Sequence, residues 1–231
     1  MRSVQRGDSQ QTGNRGGQMH RRIQLHKHIH SFRADEFGSL ADVRESAAET
    51  SPRILIVGCA DHGLAPDMLS FATPGRCAVV QNLAASIPAA DQPYDSTMAS
   101  LEYSVVRQGV RDIIVCSHLC CRIVRYWMRT PILHAPNDPG CRFNQNACWT
   151  VDRLYRYTTQ SERQTLMICE HTLYQLENLR SHSIVQDRLA VGRLRLHGWV
   201  VDDSTARVLA YTPHTHQFVS LEKISNRKRI S

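Results

Sequence analysis

Two short, nearly unbroken apolar runs stand out along the chain: Ile54-Leu55-Ile56-Val57 and Ile113-Ile114-Val115. A strand buried on both faces needs such a run, and a parallel sheet covered by helices provides that burial. The pattern predicts strands over 53–58, 77–80 and 110–116. Between the last two, Ser96 to Gln108 reads as a helix. Met98, Leu101, Val105 and Val106 form its apolar stripe, Ser96 is placed to cap it, and Gly109 to end it. Arg122 to Arg129 reads as a further helix, and Pro131, Pro136 and Pro139 break the chain beyond it. Helices then run over 146–160 and 162–180, and 194–202 with 207–211 form a closing strand pair. Strands alternating with helices predict an α/β fold with a mainly parallel β-sheet flanked by helices. There is no internal repeat.

The chain has 231 residues, 42% of them hydrophobic, enough for one sizeable core. No apolar run reaches the ~18 residues that a membrane helix requires. The net charge of +7 is unevenly spread. The first 33 residues hold seven basic side chains against Asp8, and the last ten hold four against Glu222. The ends therefore carry +9, and the stretch 34–221 is left at −2. Basicity of this kind belongs to solvated ends rather than to a folded nucleic-acid face. The chain divides into three parts: a basic, disordered or arm-like segment 1–33, an α/β domain 34–221, and a basic tail 222–231 that could meet an acidic partner. The first residues lack the apolar core of a secretory signal, so the cytoplasm is expected. His20, His26, His28 and His30 form a His-rich tract, which can bind metal or serve as an arm against a neighbouring subunit.

Eight cysteines without a secretory signal point to metal binding or plain burial rather than to disulfides. Cys77, Cys116 and Cys169 sit in apolar surroundings and read as core thiols. Cys141 and Cys148 read as unrelated loop cysteines. The chemistry concentrates where the two apolar runs end, at Cys59-Ala60-Asp61 and His118-Leu119-Cys120-Cys121. Two thiolates and an imidazole at adjacent strand ends would hold Zn²⁺ tetrahedrally, with a carboxylate or a water in the fourth position. The carboxyl ends of parallel strands are also where ligands gather in such sheets.

Together these residues resemble the β-class carbonic anhydrases, over roughly Pro52 to Ser220. That family carries Cys-x-Asp-x-Arg and later His-x-x-Cys-Gly, matched here by Cys59, Asp61, His118 and Cys121. Pro74-Gly75, Val80 with Asn82, Ser100-Leu101-Glu102-Tyr103, Glu177-Asn178-Leu179-Arg180 and Gly192 through Leu196-His197-Gly198-Trp199 agree in order. The resemblance implies zinc held by Cys59, His118 and Cys121, with Asp61 as possible fourth ligand or catalytic gate. It implies reversible hydration of carbon dioxide to bicarbonate by zinc-bound hydroxide. It also implies a homodimer or higher homo-oligomer. Cys120, beside Cys121, reads as a packing residue, and Trp199 and Tyr103 as core.

The departures bear on catalysis. The family's Arg two residues after the Asp is Gly63, and its Gly after the second cysteine ligand is Arg122. A frequent Gln is replaced at Thr50, and the usual Arg before Asn82 is Gln81. In the family the Arg draws the Asp off the metal by a charge-assisted pair, which leaves zinc its water. Three readings are open. Another cation, His62 or Arg122, replaces that Arg and hydration persists. Alternatively the pocket of His62, Gly63 and Arg122 serves a related electrophile such as carbonyl sulfide. In the third, Asp61 closes the site and the chain is a zinc-stabilised scaffold without turnover.

Overall fold

A computed structural model describes residues 22–27, 29–61, 76–129, 138–157, 159–205 and 207–221. Among these described residues, seven strands make one sheet. They are β1 (Arg22–Gln24), β2 (Ile54–Cys59), β3 (Cys77–Asn82), β4 (Asp112–His118), β5 (Arg195–Asp202), β6 (Arg207–Thr212) and β7 (Gln217–Ser220). Their spatial order is β1-β7-β6-β5-β4-β2-β3. β3, β2, β4 and β5 run parallel, and β5, β6, β7 and β1 pair antiparallel. The helices are α1 (Leu40–Ala48), α2 (Ser96–Glu102), α3 (Arg122–Arg129), α4 (Pro139–Phe143), α5 (Trp149–Leu154), α6 (Gln160–Ser181) and α7 (Ser183–Ala190).

Both apolar runs are central strands, and every residue of β2 and β4 is buried. Alternate side chains face opposite layers. Leu55, Val57, Ile113 and Val115 join the larger core with Leu173 and Leu176 of α6. Ile54, Ile56, Ile114 and Cys116 meet Val43 of α1 and Trp199 on the other face. Each such fully buried aliphatic side chain contributes about 1.5–3 kcal/mol. α6 comes so close to β5 that a methyl group at Gly198 would stand 3.0 Å from Leu176.

Local chemistry sets several boundaries apart from the predicted ones. Asp95, not Ser96, caps α2, its carboxylate accepting the Met98 N–H at 2.9 Å. Gly109 ends the π-helical turn that extends it, with φ +67°. Pro139 opens α4 instead of breaking the chain, because a proline costs nothing at the first helical position. Asp138 caps that helix by accepting the Gly140 N–H at 2.8 Å. Cys141 and Cys148 are therefore helical and buried, not loop residues. Cys116 and Cys169 are core thiols as expected, whereas Cys77 is half-buried. Tyr103, expected in the core, is 58% exposed, while Trp199 is buried. α1, α7, β1 and β7 carry too little apolar periodicity to be read from the sequence. α1 is instead set by a capping box between Ser39 and Asp42.

The described part of the N-terminal segment lies against the body. β1 pairs with β7, and the His26 N–H donates to the Tyr155 hydroxyl at 2.7 Å. His30 is buried between two carboxylates, Nε2 at 2.7 Å from Glu170 and Nδ1 at 2.9 Å from Glu177. Tyr155 donates its hydroxyl to the other Glu170 oxygen, and the Tyr174 ring meets the imidazole edge-on. Burial alone would lower the His30 pKa, but the bonds to Glu170 and Glu177 outweigh it and raise it to about 9. His30 is thus spent on α6 rather than on a metal; His20 and His28 lie outside the described residues.

A raised pKa stabilises the fold fully below the unfolded value of about 6.5, and the contribution is lost as pH rises through about 9. Urea unfolding from pH 6 to 10 should therefore lose on the order of 3 kcal/mol across that window. In His30→Gln this loss should vanish; an unaltered slope there would rule His30 out as its source.

Candidate metal centre

Cys59 ends β2 and His118 ends β4, and the two strands are parallel neighbours in register, with Gly58 opposite Cys116. This register delivers both side chains to the carboxyl end of the sheet. Leu119 and Cys120 turn the chain, and Cys121 stands directly before α3. The Val124 N–H points at the Cys121 sulfur, 3.4 Å away, and the Asp61 N–H at the Cys59 sulfur, 3.3 Å away. Backbone donors of this kind favour thiolates.

The donor atoms of Cys59, His118 and Cys121 lie within 4.8 Å of one another, and all three residues are buried. The two sulfurs are 3.8 Å apart, at hydrogen-bond distance and not joined as a disulfide. Two sulfurs at ~2.3 Å from one tetrahedral metal would stand about 3.8 Å apart. Among the described residues, His118 Nε2 is buried without a hydrogen-bond partner. Its Nδ1 faces Asp203 Oδ2 at 3.3 Å. An orphaned imidazole nitrogen beside paired thiols is a donor set that a soft-to-borderline cation such as Zn²⁺ completes.

The thiols titrate as a pair. The Cys121 S–H stabilises a Cys59 thiolate, and with help from His118 this brings Cys59 down to about 5. The thiolate, together with burial, then pushes Cys121 far up. One proton is shared until a cation displaces it.

Asp61 is turned toward Arg122. The guanidinium approaches Oδ1 with Nε at 2.7 Å and Nη2 at 2.6 Å, and the Arg122 backbone N–H donates to Oδ2 at 2.5 Å. Oδ2 remains 3.9 Å from His118 Nε2. The Asp61 side chain is 5% exposed, so its charge is offset at close range by the better-solvated guanidinium, 68% exposed. Arg122, one of the two cations expected from the sequence, thus meets Asp61. His62 and Gly63 lie outside the described residues. Cys120 is exposed rather than packed, and its backbone N–H donates to Asp203 Oδ2 at 2.9 Å.

Ala84, Val124 and Ile168 give the small cavity at the centre an apolar wall, joined by Ser117 and His171. Ala84 and Ala85 have φ of 55° and 56°, a left-handed conformation costly for alanine. His171 Nε2 donates to the Ala84 carbonyl at 3.0 Å, and burial keeps the ring neutral, its pKa near 4. Gln175 supports the other ring nitrogen at 3.2 Å. Neither Asp203 nor His171 stands out in the sequence. Asp203 sits in a polar turn and His171 in a helix, and nothing local marks either.

The carbonic anhydrase family model matches residues 54–208. Carbonic anhydrase of Pseudomonas aeruginosa is 29% identical over 192 residues, covering 82% of this chain and 87% of that protein. Carbonic anhydrase 1 of Escherichia coli O157:H7 is 28% identical, covering 77% and 82%. Among solved structures, the β-carbonic anhydrase CcaA superposes with a TM-score of 0.67 at 26% identity, covering 79% of this chain and 90% of that one. A structure of tetrameric β-carbonic anhydrases from Sordaria macrospora shares the fold, with a TM-score of 0.59 at 22% identity. With its half-parallel sheet and its buried Cys-His-Cys cluster at the strand ends, the chain belongs to the β-class carbonic anhydrase family.

Proposed function

We propose that the chain is a zinc-dependent carbonic anhydrase that reversibly hydrates carbon dioxide to bicarbonate and a proton. The observation that carries this reading is the grip of Arg122 on Asp61. It favours an Asp61 held off the metal, so that the centre keeps a place for water despite Gly63.

Zinc, when bound, supplies Lewis acidity that brings its water's pKa to ~7. The chain's residues do the rest. Cys59 and Cys121, as thiolates, offset the ion's charge, and His118 offers neutral Nε2. Asp61 Oδ2, 3.9 Å from that nitrogen, is placed to accept a hydrogen bond from a group beside the triad and to orient it. Arg122 holds Asp61 turned aside. The apolar wall of Ala84, Val124 and Ile168 suits a small uncharged substrate.

Stopped-flow hydration with pH indicators, on protein of known zinc content, tests the reading. We expect rapid turnover with one zinc per chain. Stoichiometric zinc with no hydration would return the scaffold reading. Carbonyl sulfide hydrolysis without hydration would replace the substrate.

A homodimer or higher homo-oligomer belongs to the same proposal. Among the described strands β3 stands at the edge, and its Val79 is 41% exposed and the adjoining Leu83 52%. Such an edge favours pairing with a second copy; a monomer in sedimentation velocity would reject it. Cytoplasmic residence is supported by eight free thiols, which a reducing compartment preserves. Cell fractionation decides that point. Among the described residues no helix is long and apolar enough to cross a membrane.

A further inference from the structure

We infer that Asp203 is a positioning residue of the metal centre, holding His118 in the tautomer and orientation that aim Nε2 at the two cysteines. This deepens the zinc reading and rests on it. β5 pairs with β4 so that Val201 lies opposite His118, and the Leu119 N–H donates to the Val201 carbonyl at 2.9 Å. The turn leaving β5 is thereby fixed beside the His-x-x-Cys segment.

Asp202 builds that turn. Its Oδ1 accepts the Ser204 N–H at 3.0 Å and hydroxyl at 2.6 Å, and its Oδ2 accepts the Thr205 hydroxyl at 2.7 Å. Asp203 is therefore presented to the neighbouring segment, 18% exposed. A single oxygen, Oδ2, takes two contacts there: His118 Nδ1 at 3.3 Å and the Cys120 N–H at 2.9 Å.

Hydrogen-bond chemistry sets the consequences. A carboxylate facing Nδ1 favours the proton on Nδ1, which leaves the lone pair on Nε2. Nε2 is the buried nitrogen without a partner. A carboxylate behind a ligating imidazole also makes it a stronger donor, and losing such a partner typically costs 10–100-fold in metal affinity. The Cys120 contact sets the turn between His118 and Cys121, so one side chain governs the spacing of two ligands.

Zinc affinity measured by competition with a chromophoric chelator tests this on the full chain. Asp203→Asn keeps an oxygen acceptor for the Cys120 N–H but loses the charge behind His118; about 10-fold weaker zinc binding is expected. Asp203→Ala loses both contacts, and approximately 100-fold is expected. Long-range ¹H–¹⁵N NMR of the zinc-loaded protein supplies the second readout. The His118 Nδ1 proton should resonate far downfield in the parent and move upfield in Asp203→Asn.

A purely structural turn residue would lower the melting temperature of the metal-free protein and leave both readouts unchanged, and that result would overturn the inference. Should Asp203→Ala not fold, Asp203→Asn alone decides. If the parent protein takes up no zinc, the zinc reading fails first and the inference with it. If the parent binds zinc and the variants bind it equally, only the inference fails.

Discussion

Arg122→Ala is expected to lower kcat/KM for carbon dioxide hydration, by at most roughly 30–150-fold, while zinc stays at one per chain. The substitution removes both guanidinium contacts to Asp61 Oδ1 and leaves the backbone N–H on Oδ2. Two charge-assisted bonds, discounted for the exposed guanidinium, hold about 2–3 kcal/mol. That energy opposes movement of the Asp61 carboxylate onto the metal, so its loss raises the closed-to-open ratio by the same factor, which sets the ceiling on the fall in rate. Cobalt substitution gives a readout independent of turnover, because coordination by a carboxylate in place of water alters the visible spectrum. Moving the cation should restore function: Arg122→Gly combined with Gly63→Arg returns the family arrangement, and most of the lost rate with it. Parental kcat/KM in Arg122→Ala would remove Arg122 from the mechanism.

Metal removal should have an effect as large on stability. The three donors are buried, and without a cation they are a proton-sharing thiol pair beside an orphaned imidazole nitrogen. Zinc binds this arrangement and not the unfolded chain, so free zinc at a thousand times its Kd adds about 4 kcal/mol. For a domain of this size the melting temperature should rise by approximately 8–16 °C. Cys121→Ser should abolish the rise and the stoichiometric metal together. Cys77→Ser, on a half-buried thiol outside the cluster, should keep both. A melting temperature indifferent to chelator would argue against a resident metal.

Much of this centre is legible in the sequence, for local reasons. Cys59 and His118 each close an apolar run, and a run of that kind must be a central parallel strand. The carboxyl ends of two such strands have to meet. Cys121 is placed by the spacing of one tight turn. The helix boundaries near Ser96 and Pro139 escape a reading by periodicity, because capping depends on one side chain and one N–H, which apolar spacing does not report. The arm reads as basic and loose, yet His30 is buried by Glu170 and Glu177, at least 140 residues away.

The sequence by itself determined the parallel centre of the sheet, the three converging donors and the family, because those depend on patterns within a few residues of each other. Only the tertiary structure decided what surrounds the donors. Arg122 was visible as a departure from the family pattern, but its partner Asp61 is 61 residues away, and the direction of a helix's first side chain is set by packing. Asp203 reaches His118 across 85 residues through the β4–β5 register. The left-handed turn at Ala84 and Ala85, whose Ala84 carbonyl meets His171 of α6, has no signal in the alanines themselves. Residues that supply ligands are marked by their own chemistry and spacing. Residues that orient those ligands act through contacts that exist only once the chain has folded.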